Sequence, residues 1–452
     1  MVVAANTTIG VATYDWDGGD LGGFSTTTVN SGVTFTINSN VIEDEPNAYD
    51  STITVNSGSL TVNTTAPWPL AGTLNLIDTG AGDSVLSGQP VQLLTGGQIN
   101  VTNGAQIPAG VQYSSGGINT ISSVTVLSGP FSSIGAGVLN KTGVAQLNVN
   151  GPQSHAAGSQ LNILAGTVVL NTDAGAGGQN LTINHSGSSL SMSVSQRLAR
   201  LNINAGATAT LAGAGNDNVL RTNILNIAGG AAPTATLNLT DENMVVDYTG
   251  ASPIATIKAQ LLSGYNNGNW TGLGIRSSAA AAASPKNTAL GYAEASQIYG
   301  VGGGTFNGQA VDGTSVLVKY TWYGDTDLNG VVNFDDYART DNGFNNAGND
   351  WFHGDFNYNS VVNFDDYALI DLAFNTQSGT LRRAMSFLEG NDRSTDDMNV
   401  PALQFVLTHF NQFGEGYASS LLNAVPEPAS AAMLAGLVSA GLLARRRRAC
   451  IG

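Results

Sequence analysis

The sequence predicts a mainly β protein, with a parallel β-solenoid (β-helix-like) followed by a small α+β cap, a helical tandem repeat and a short apolar helix. Two observations predict the solenoid: short aliphatic strands recur between Gly, Asn and Ser turns, and the 452 residues include 57 Gly but only 11% charged residues. One 22-residue unit, written twice near the carboxyl end, predicts the helical part. This length is enough for about two to four domains.

Residues 1–248 are assigned to the solenoid because strand-like runs recur at a regular spacing. An aliphatic-polar-aliphatic pattern begins at Leu147, Leu161, Leu181, Leu201 and Leu225, at intervals of 14, 20, 20 and 24 residues. One strand in about 20 residues is the spacing of a solenoid coil, which buries its apolar side against the next coil. The asparagines beside these strands suit turn corners and stacked amide ladders: Asn148, Asn162, Asn184, Asn202 and Asn226. The alternative architecture is a β-sandwich with regular hairpins.

Charged residues are too sparse in this region to predict catalysis. Glycosidases and lyases built on parallel β-helices carry clustered carboxylates or basic residues on one face. Between Ser51 and Thr240 there are four Asp, no Glu, one Lys, three Arg and two His. We therefore expect no enzyme activity and no catalytic residues, and we interpret His155 and His185 as loop residues.

Residues 249–323 break the rhythm and are predicted to form an α+β cap. MVVDYTG from Met244 reads as a final strand, and the run from Ser252 to Tyr265 places aliphatic residues at helical spacing behind a Ser-Pro start. A strand is predicted from Thr314 to Gly324. Such a segment would close the open edge of the solenoid.

Residues 324–376 contain the repeated unit, whose copies at 324–345 and 354–375 agree at 14 of 22 positions without gaps. Counted from the first Asp of each copy, oxygen-bearing side chains fall at positions 1, 3, 5, 9 and 12, and position 7 offers a backbone carbonyl. This spacing wraps the six to eight oxygens of a calcium ion. Two calcium ions are therefore predicted, with ligands Asp325, Asp327, Asn329, Val331, Asn333 and Asp336 in loop 1 and Asp355, Asn357, Asn359, Val361, Asn363 and Asp366 in loop 2.

The residues after position 9 of each loop predict a helix. Asn333 and Asn363 are suited to cap it, and the acidic residues that follow suit its first turn. The loops differ at position 6, where Gly330 permits a positive φ but Ser360 adopts it at a cost of about 1 kcal/mol. Loop 1 also offers three carboxylates against two, so we predict that it binds calcium more tightly than loop 2.

A calcium loop followed by one helix, in tandem, resembles the dockerin type I repeat. The Gly-Asp opening, the alternate Asp/Asn positions, the Val-Asn pair and the Asp at position 12 carry this resemblance. It implies that loop positions 10 and 11 select a cohesin-like partner. The partner-facing candidates are Phe334, Asp335, Phe364 and Asp365, where the family commonly has small hydroxyl residues.

Two further resemblances concern the rest of the chain. GVLNKTGVAQLNVNG, at 137–151, resembles an autotransporter-associated β-strand repeat, which implies a solenoid of the passenger type. A cap followed by a dockerin-like pair is similar to the arrangement in large surface proteins of planctomycete-type bacteria.

The carboxyl-terminal part is predicted to contain a helical tail at 377–423, with helices in LRRAMSFL and PALQFVLTHFNQF, and a sorting signal at 424–448. The apolar run from Ala429 to Ala444 predicts a short transmembrane helix whose basic end stays cytoplasmic. The order of Pro-Glu-Pro, a short apolar helix and an arginine cluster resembles the PEP-CTERM signal. This resemblance implies processing by the membrane protease exosortase. The residues that carry it are Pro426, Glu427, Pro428, Arg445, Arg446, Arg447 and Arg448.

Composition and charge indicate an extracellular or cell-surface location. The formal charge of −16 excludes nucleic acid as a partner, and the one cysteine, Cys450, predicts no disulfide. Secretion is expected to begin with a basic start and an apolar run, which MVVAANTTIG lacks. Either this start is truncated or misassigned, or export uses another route.

These features together predict a non-enzymatic, exported, calcium-binding structural or adhesion protein, anchored transiently in the membrane through its carboxyl end. Its partner would be a cohesin-like, envelope or matrix protein. The alternative is a dockerin-bearing component of an assembly that binds or degrades extracellular polysaccharide.

Overall fold

The computed structural model describes residues 2–3, 7–9, 26–37, 52–80, 83–213, 215 and 218–425. The chain forms two compact units. The first contains residues 1–279 and 290–320, and the second contains residues 280–289 and those from 321 onward. The sequence predicts five segments where the structure divides the chain into two units. The division into five segments therefore stays a prediction.

Among the described residues of the first unit, two long sheets of mainly parallel strands predominate, which confirms the parallel β-solenoid and excludes the sandwich. One sheet has 14 strands, in the spatial order Val2–Val3, Thr26–Val29, Thr52–Asn56, Thr73–Ile77, Gln98–Thr102, Gly117–Thr120, Val138–Thr142, Gln160–Ile163, Thr182–His185, Gln196–Ile203, Val219–Ile227, Asn243–Asp247, Ser315–Trp322 and Thr288–Glu294. The other has 12 strands, in the order Thr7–Ile9, Thr34–Ile37, Ser59–Val62, Ser84–Gly88, Ala105–Gln106, Thr125–Leu127, Gln146–Val149, Thr167–Leu170, Ser189–Met192, Thr208–Leu211, Thr236–Asn238 and Gly274–Arg276.

A third sheet lines the middle of the solenoid, and the sequence did not predict it. It has five parallel strands, in the order Gln153–Ser154, Phe131–Ser133, Val111–Tyr113, Val91–Leu93 and Trp68–Leu70. These strands are two or three residues long, too short to show a period-2 pattern. A small antiparallel pair, Gly304–Phe306 with Gln309–Val311, completes the described sheets.

The apolar side chains of successive coils stack in register inside the solenoid. Ile53, Leu74, Ile99 and Ile118 are directly paired in neighbouring strands of the 14-stranded sheet, and all four are fully buried. The alternating burial along Thr52–Asn56 follows from the period of two in a strand. Because each coil covers the next, burial of such a side chain contributes about 1.5 to 3 kcal/mol.

The predicted amide ladder forms on the outer face of the 14-stranded sheet. Side-chain hydrogen bonds of 2.6–2.8 Å link Asn140, Asn162, Asn184, Asn202 and Asn226, at sequence separations of 22, 22, 18 and 24 residues. Asn148 is different, because its strand belongs to the 12-stranded sheet and its amide oxygen accepts from Gln146. The interval of 14 residues from Leu147 to Leu161 therefore joins two sheets and is not a coil repeat.

The segment at 137–151 contributes a buried lysine to the coil corner. The ammonium of Lys141 donates to the carbonyls of Thr142, Gly143 and Ala165 at 2.7, 2.9 and 3.0 Å. Burial lowers the pKa of this ammonium to about 8. Its three carbonyl partners satisfy all three donors, so the lysine connects neighbouring coils.

The solenoid ends in the segment predicted as a cap. The helix α1 (Ile254–Tyr265) begins two residues after the predicted start, and its Gln260 donates to the carbonyl of Gly230 at 3.1 Å. Ser315–Trp322 pairs antiparallel with Asn243–Asp247, so the parallel series stops there. Two short helices lie in this part of the sequence, α2 (Ser278–Ala282) and α3 (Ala295–Tyr299).

Both histidines expected in loops are buried inside the solenoid; His155 follows the strand Gln153–Ser154 and lies in a loop as predicted, whereas the loop interpretation was wrong for His185. His185 ends a strand, and its Nε2 lies 2.9 Å from the carbonyl oxygen of Thr208. His155 packs against the rings of Tyr113 and Phe131, with Nδ1 3.1 Å from the Tyr113 hydroxyl. Burial lowers the pKa of His155 to about 4. Burial also lowers the pKa of His185, against the hydrogen bond to Thr208.

His155 is expected to make the solenoid acid-sensitive. Folding lowers the pKa of this histidine from 6.5 to about 4, so the neutral imidazole contributes fully to stability above pH 6.5. That contribution is lost as the pH falls from 6.5 to about 4. Between pH 7 and pH 4 the loss should be about 3 kcal/mol. Urea unfolding of His155→Gln should show an acid loss smaller by that amount. Equal acid losses in wild type and His155→Gln would contradict this assignment.

The second unit is helical. Its helices are α4 (Phe334–Asn345), α5 (Phe364–Gln377), α6 (Leu381–Leu388), α7 (Pro401–Phe413) and α8 (Glu415–Asn423), with a short 3-10 turn at Trp351–His353. The two predicted tail helices are confirmed as α6 and α7. Within the described ranges, no helix has the length and apolarity needed to span a bilayer. The predicted span from Ala429 to Ala444 lies outside them.

Candidate metal centre

The two copies of the repeat fold into loops of the same backbone shape. Loop 1 runs from Asp325 into α4, and loop 2 runs from Asp355 into α5. Position 4 has φ of 58° in loop 1 and 62° in loop 2, and position 6 has φ of 93° at Gly330 and 70° at Ser360. The positive φ predicted for Ser360 is therefore confirmed.

Each loop ends at the predicted N-cap residue of the helix that follows it. The side chain of Asn333 accepts from the backbone N–H of Asp335, and Asn363 accepts from Asp365, both at 2.7 Å. The position-12 carboxylates complete both capping boxes by accepting from the N–H of the cap residue. Four backbone donors at the two helix starts are thereby satisfied within the repeat.

Loop 1 gathers three carboxylates around one point. Oxygen atoms of Asp325, Asp327 and Asp336 all lie within 4.8 Å of one another. Asp325 accepts from the N–H of Asn329 and Gly330 at 2.9 and 2.8 Å, which folds the loop around it. Asp325 and Asp336 are fully buried.

Loop 2 repeats this arrangement with two carboxylates. Asp355 accepts from the N–H of Ser360 at 3.0 Å, and Asp366 accepts from Phe356 and Asn363 at 2.8 and 3.0 Å. Both carboxylates are fully buried. Asn357 and Asn359 occupy positions 3 and 5, and each amide oxygen accepts an N–H two residues on.

Burial shifts the acidity of the position-12 carboxyls. It raises the pKa of Asp366 to about 8, against hydrogen bonds from Asn363 and Phe356. Burial likewise raises the pKa of Asp336, and hydrogen bonds from Thr326 and Asn333 oppose it. A bound cation beside these groups would favour their ionised forms.

The donor set fits a hard divalent cation. Acidic side chains are seldom fully buried unless a charge partner or a metal compensates them, and each loop buries two. Val331 and Val361 expose their side chains, so their backbone carbonyls are what position 7 can offer. Asn333 and Asn363 use their amide oxygens as helix caps. The second lone pair of such an oxygen leaves room for a ligand water.

Two residues of this centre were missed by the sequence analysis. Trp351 is fully buried, its indole N–H donates to the Asp325 carbonyl at 2.7 Å, and its ring packs on Phe356 of loop 2. Arg339 lies 3.3 Å from Asp327 and 3.6 Å from Asp336. The sequence did contain an indication of Arg339, because the two copies differ at this position and the second copy has Leu369 there.

The four partner-facing candidates differ in their surroundings. Phe334 is 60% exposed, with its ring 5.6 Å from that of Phe405, and Asp335 is exposed. Phe364 is 37% exposed. Asp365 is half-buried and accepts from the Ser420 hydroxyl at 2.7 Å. The surfaces at positions 10 and 11 are thus unequal in the two copies.

The comparison with known protein families concerns the end of the chain. The family described as the PEP-CTERM protein-sorting motif matches residues 424–448. The chain carries a PEP-CTERM signal. This signal implies an exported, surface-associated protein that exosortase processes. Its predicted residues, Pro426 to Pro428 and Arg445 to Arg448, lie outside the part that the structure describes. No curated protein and no solved structure matches the chain.

Proposed function

We propose that this protein is a calcium-stabilised, non-enzymatic structural or adhesion protein of the cell surface or extracellular matrix. Export and surface sorting follow from the PEP-CTERM signal, and a β-solenoid is a suitable body for such a protein. The observation that supports calcium binding is the pair of equivalent loops. Each loop buries two carboxylates and leads into a capped helix.

Calcium would act here as a structural ion. In each loop the residues at positions 1, 3, 5, 7 and 12 would hold it, and position 9 would contribute through water. The ion would supply the positive charge that the buried carboxylates need, and the loops would in turn fix the starts of α4 and α5. Binding energy of this kind adds to folding energy. The dockerin-like interpretation of the repeat belongs to this proposal.

Calorimetric titration of the full chain with calcium tests the proposal. We expect two sites in the wild-type protein and one in either Asp336→Asn or Asp366→Asn, because each variant removes a position-12 carboxylate. Asp341→Asn, on an exposed position of α4, is the matched control and should keep both sites. The absence of binding to the wild-type protein, or two intact sites in both variants, would overturn the proposal.

A second candidate function is attachment to a cohesin-like partner within a polysaccharide-binding assembly. The exposure of Phe334 and Phe364 at equivalent positions favours it. If this function is correct, immobilised envelope fractions or glycans should retain the calcium-loaded wild-type protein. They should not retain the calcium-loaded variant that combines Phe334→Ser and Phe364→Ser. Equal retention of the two proteins would leave the structural role alone.

A further inference from the structure

The two loops differ in one cation that the protein itself supplies. Nη1 of Arg339 lies 3.3 Å from Oδ2 of Asp327 and 3.6 Å from Oδ1 of Asp336, and it donates to the hydroxyl of Thr326 at 3.2 Å. Its guanidinium also lies 5.3 Å from the centre of the Phe352 ring. The arginine is therefore held against two of the three carboxylates of loop 1.

We propose that Arg339 is a tethered counter-cation of loop 1, which calcium must displace from the Asp327 and Asp336 oxygens. This inference rests on the proposed calcium function. A guanidinium and a calcium ion repel each other, and both draw on the same oxygens. Occupation of loop 1 by the metal therefore carries a cost that loop 2 does not have, since Leu369 stands at the matching position.

The charge balance of the two loops explains what the arginine does. With all of these carboxylates ionised, as a bound cation favours, loop 1 has Asp325, Asp327 and Asp336, so three negative charges and one positive charge leave −2. Loop 2 has Asp355 and Asp366, which also give −2. Asp327 and Arg339 thus add an ion pair to loop 1 without changing its net charge. The tighter binding expected of loop 1 from its carboxylate count should be largely cancelled in the wild-type protein.

The same contact should hold loop 1 together without metal. Three carboxylates within 4.8 Å repel one another, and the arginine offsets this repulsion. Arg339 should therefore have opposite effects on the two states: it stabilises the metal-free loop and weakens calcium binding. A residue that only oriented the ligands would support both states.

The test uses the full chain with Asp366→Asn, which leaves loop 1 as the site to be titrated. Adding Arg339→Leu should tighten calcium binding about fivefold and should lower the metal-free melting temperature, most strongly at low salt. Arg339→Lys should stay close to the parent because it keeps the charge. Arg382→Leu, at an exposed position of α6, removes the same charge elsewhere and should leave both quantities unchanged.

The outcomes separate the inference from the function beneath it. If the Asp366→Asn parent binds one calcium ion and Arg339→Leu binds it equally or more weakly, the inference is wrong while the calcium function stands. If tightening appears equally in Arg382→Leu, the effect is general electrostatics and the inference is again wrong. If the wild-type protein binds no calcium, the proposed function itself fails.

Discussion

Removal of calcium with a chelator is expected to destabilise the helical unit by about 5 kcal/mol when the metal was present at a hundredfold excess over its dissociation constant, because each of two sites contributes about 2.7 kcal/mol. The loops of the metal-free unit would bury Asp325, Asp336, Asp355 and Asp366 without the metal charge that we propose. Hydrogen exchange by mass spectrometry should show faster exchange throughout α4 and α5.

The solenoid provides the internal control for that experiment. Its strands from Gln98 to Asp247 have backbone hydrogen bonds between parallel coils and none of the predicted ligands, so their exchange should not respond to the chelator. Magnesium at the same concentration should restore less protection than calcium, because it prefers octahedral geometry and gives up its water reluctantly. Unchanged exchange in α4 and α5 would contradict a structural calcium role.

Substitution of Asp371 by Ala is expected to cost about 3 to 5 kcal/mol, which is typical of removing one partner from a buried charged network. Asp371 is fully buried on α5 and accepts hydrogen bonds from Tyr337, His409 and Tyr417, which lie on α4, α7 and α8. One carboxylate therefore connects four helices. Its loss would leave two buried hydroxyls and an imidazole without their acceptor.

Urea unfolding of the calcium-loaded protein measures this cost. The control is Asp341→Ala on α4, where an exposed carboxylate accepts one hydrogen bond from Tyr367, and the expected loss is about 1 kcal/mol. Asp371→Asn should fall between the two because it keeps one acceptor oxygen. Equal costs for Asp371→Ala and Asp341→Ala would show that the network contributes little beyond a surface hydrogen bond.

The tail helices acquire a role through this network. The amphipathic pattern of the sequence correctly predicted α6 and α7 and predicts that they pack near the calcium repeats, but it identified no residue that they contact. His409 of α7 lies 2.6 Å from Asp371 and packs on the Tyr367 ring, so the tail is bound to the second repeat. A substitution in α7 that breaks these contacts should therefore also destabilise α5, the helix that follows loop 2.

The sequence by itself determined what depends on spacing along the chain. The coil repeat, the amide ladder from Asn162 to Asn226, the caps Asn333 and Asn363, the positive φ at Ser360 and the sorting motif at 424–448 were all predicted in this way. Each follows from a local rule: a strand period, a turn conformation or a short linear signal.

Only the tertiary structure decided the features in which distant residues meet. The third sheet pairs short strands about 20 residues apart, Asp371 meets His409 across 38 residues, and His155 meets Tyr113 across 42. Arg339 is close to Asp327 in sequence, yet its place depends on how the loop folds back on α4. Packing of one coil or helix on another selects these partners, and no spacing rule contains that choice.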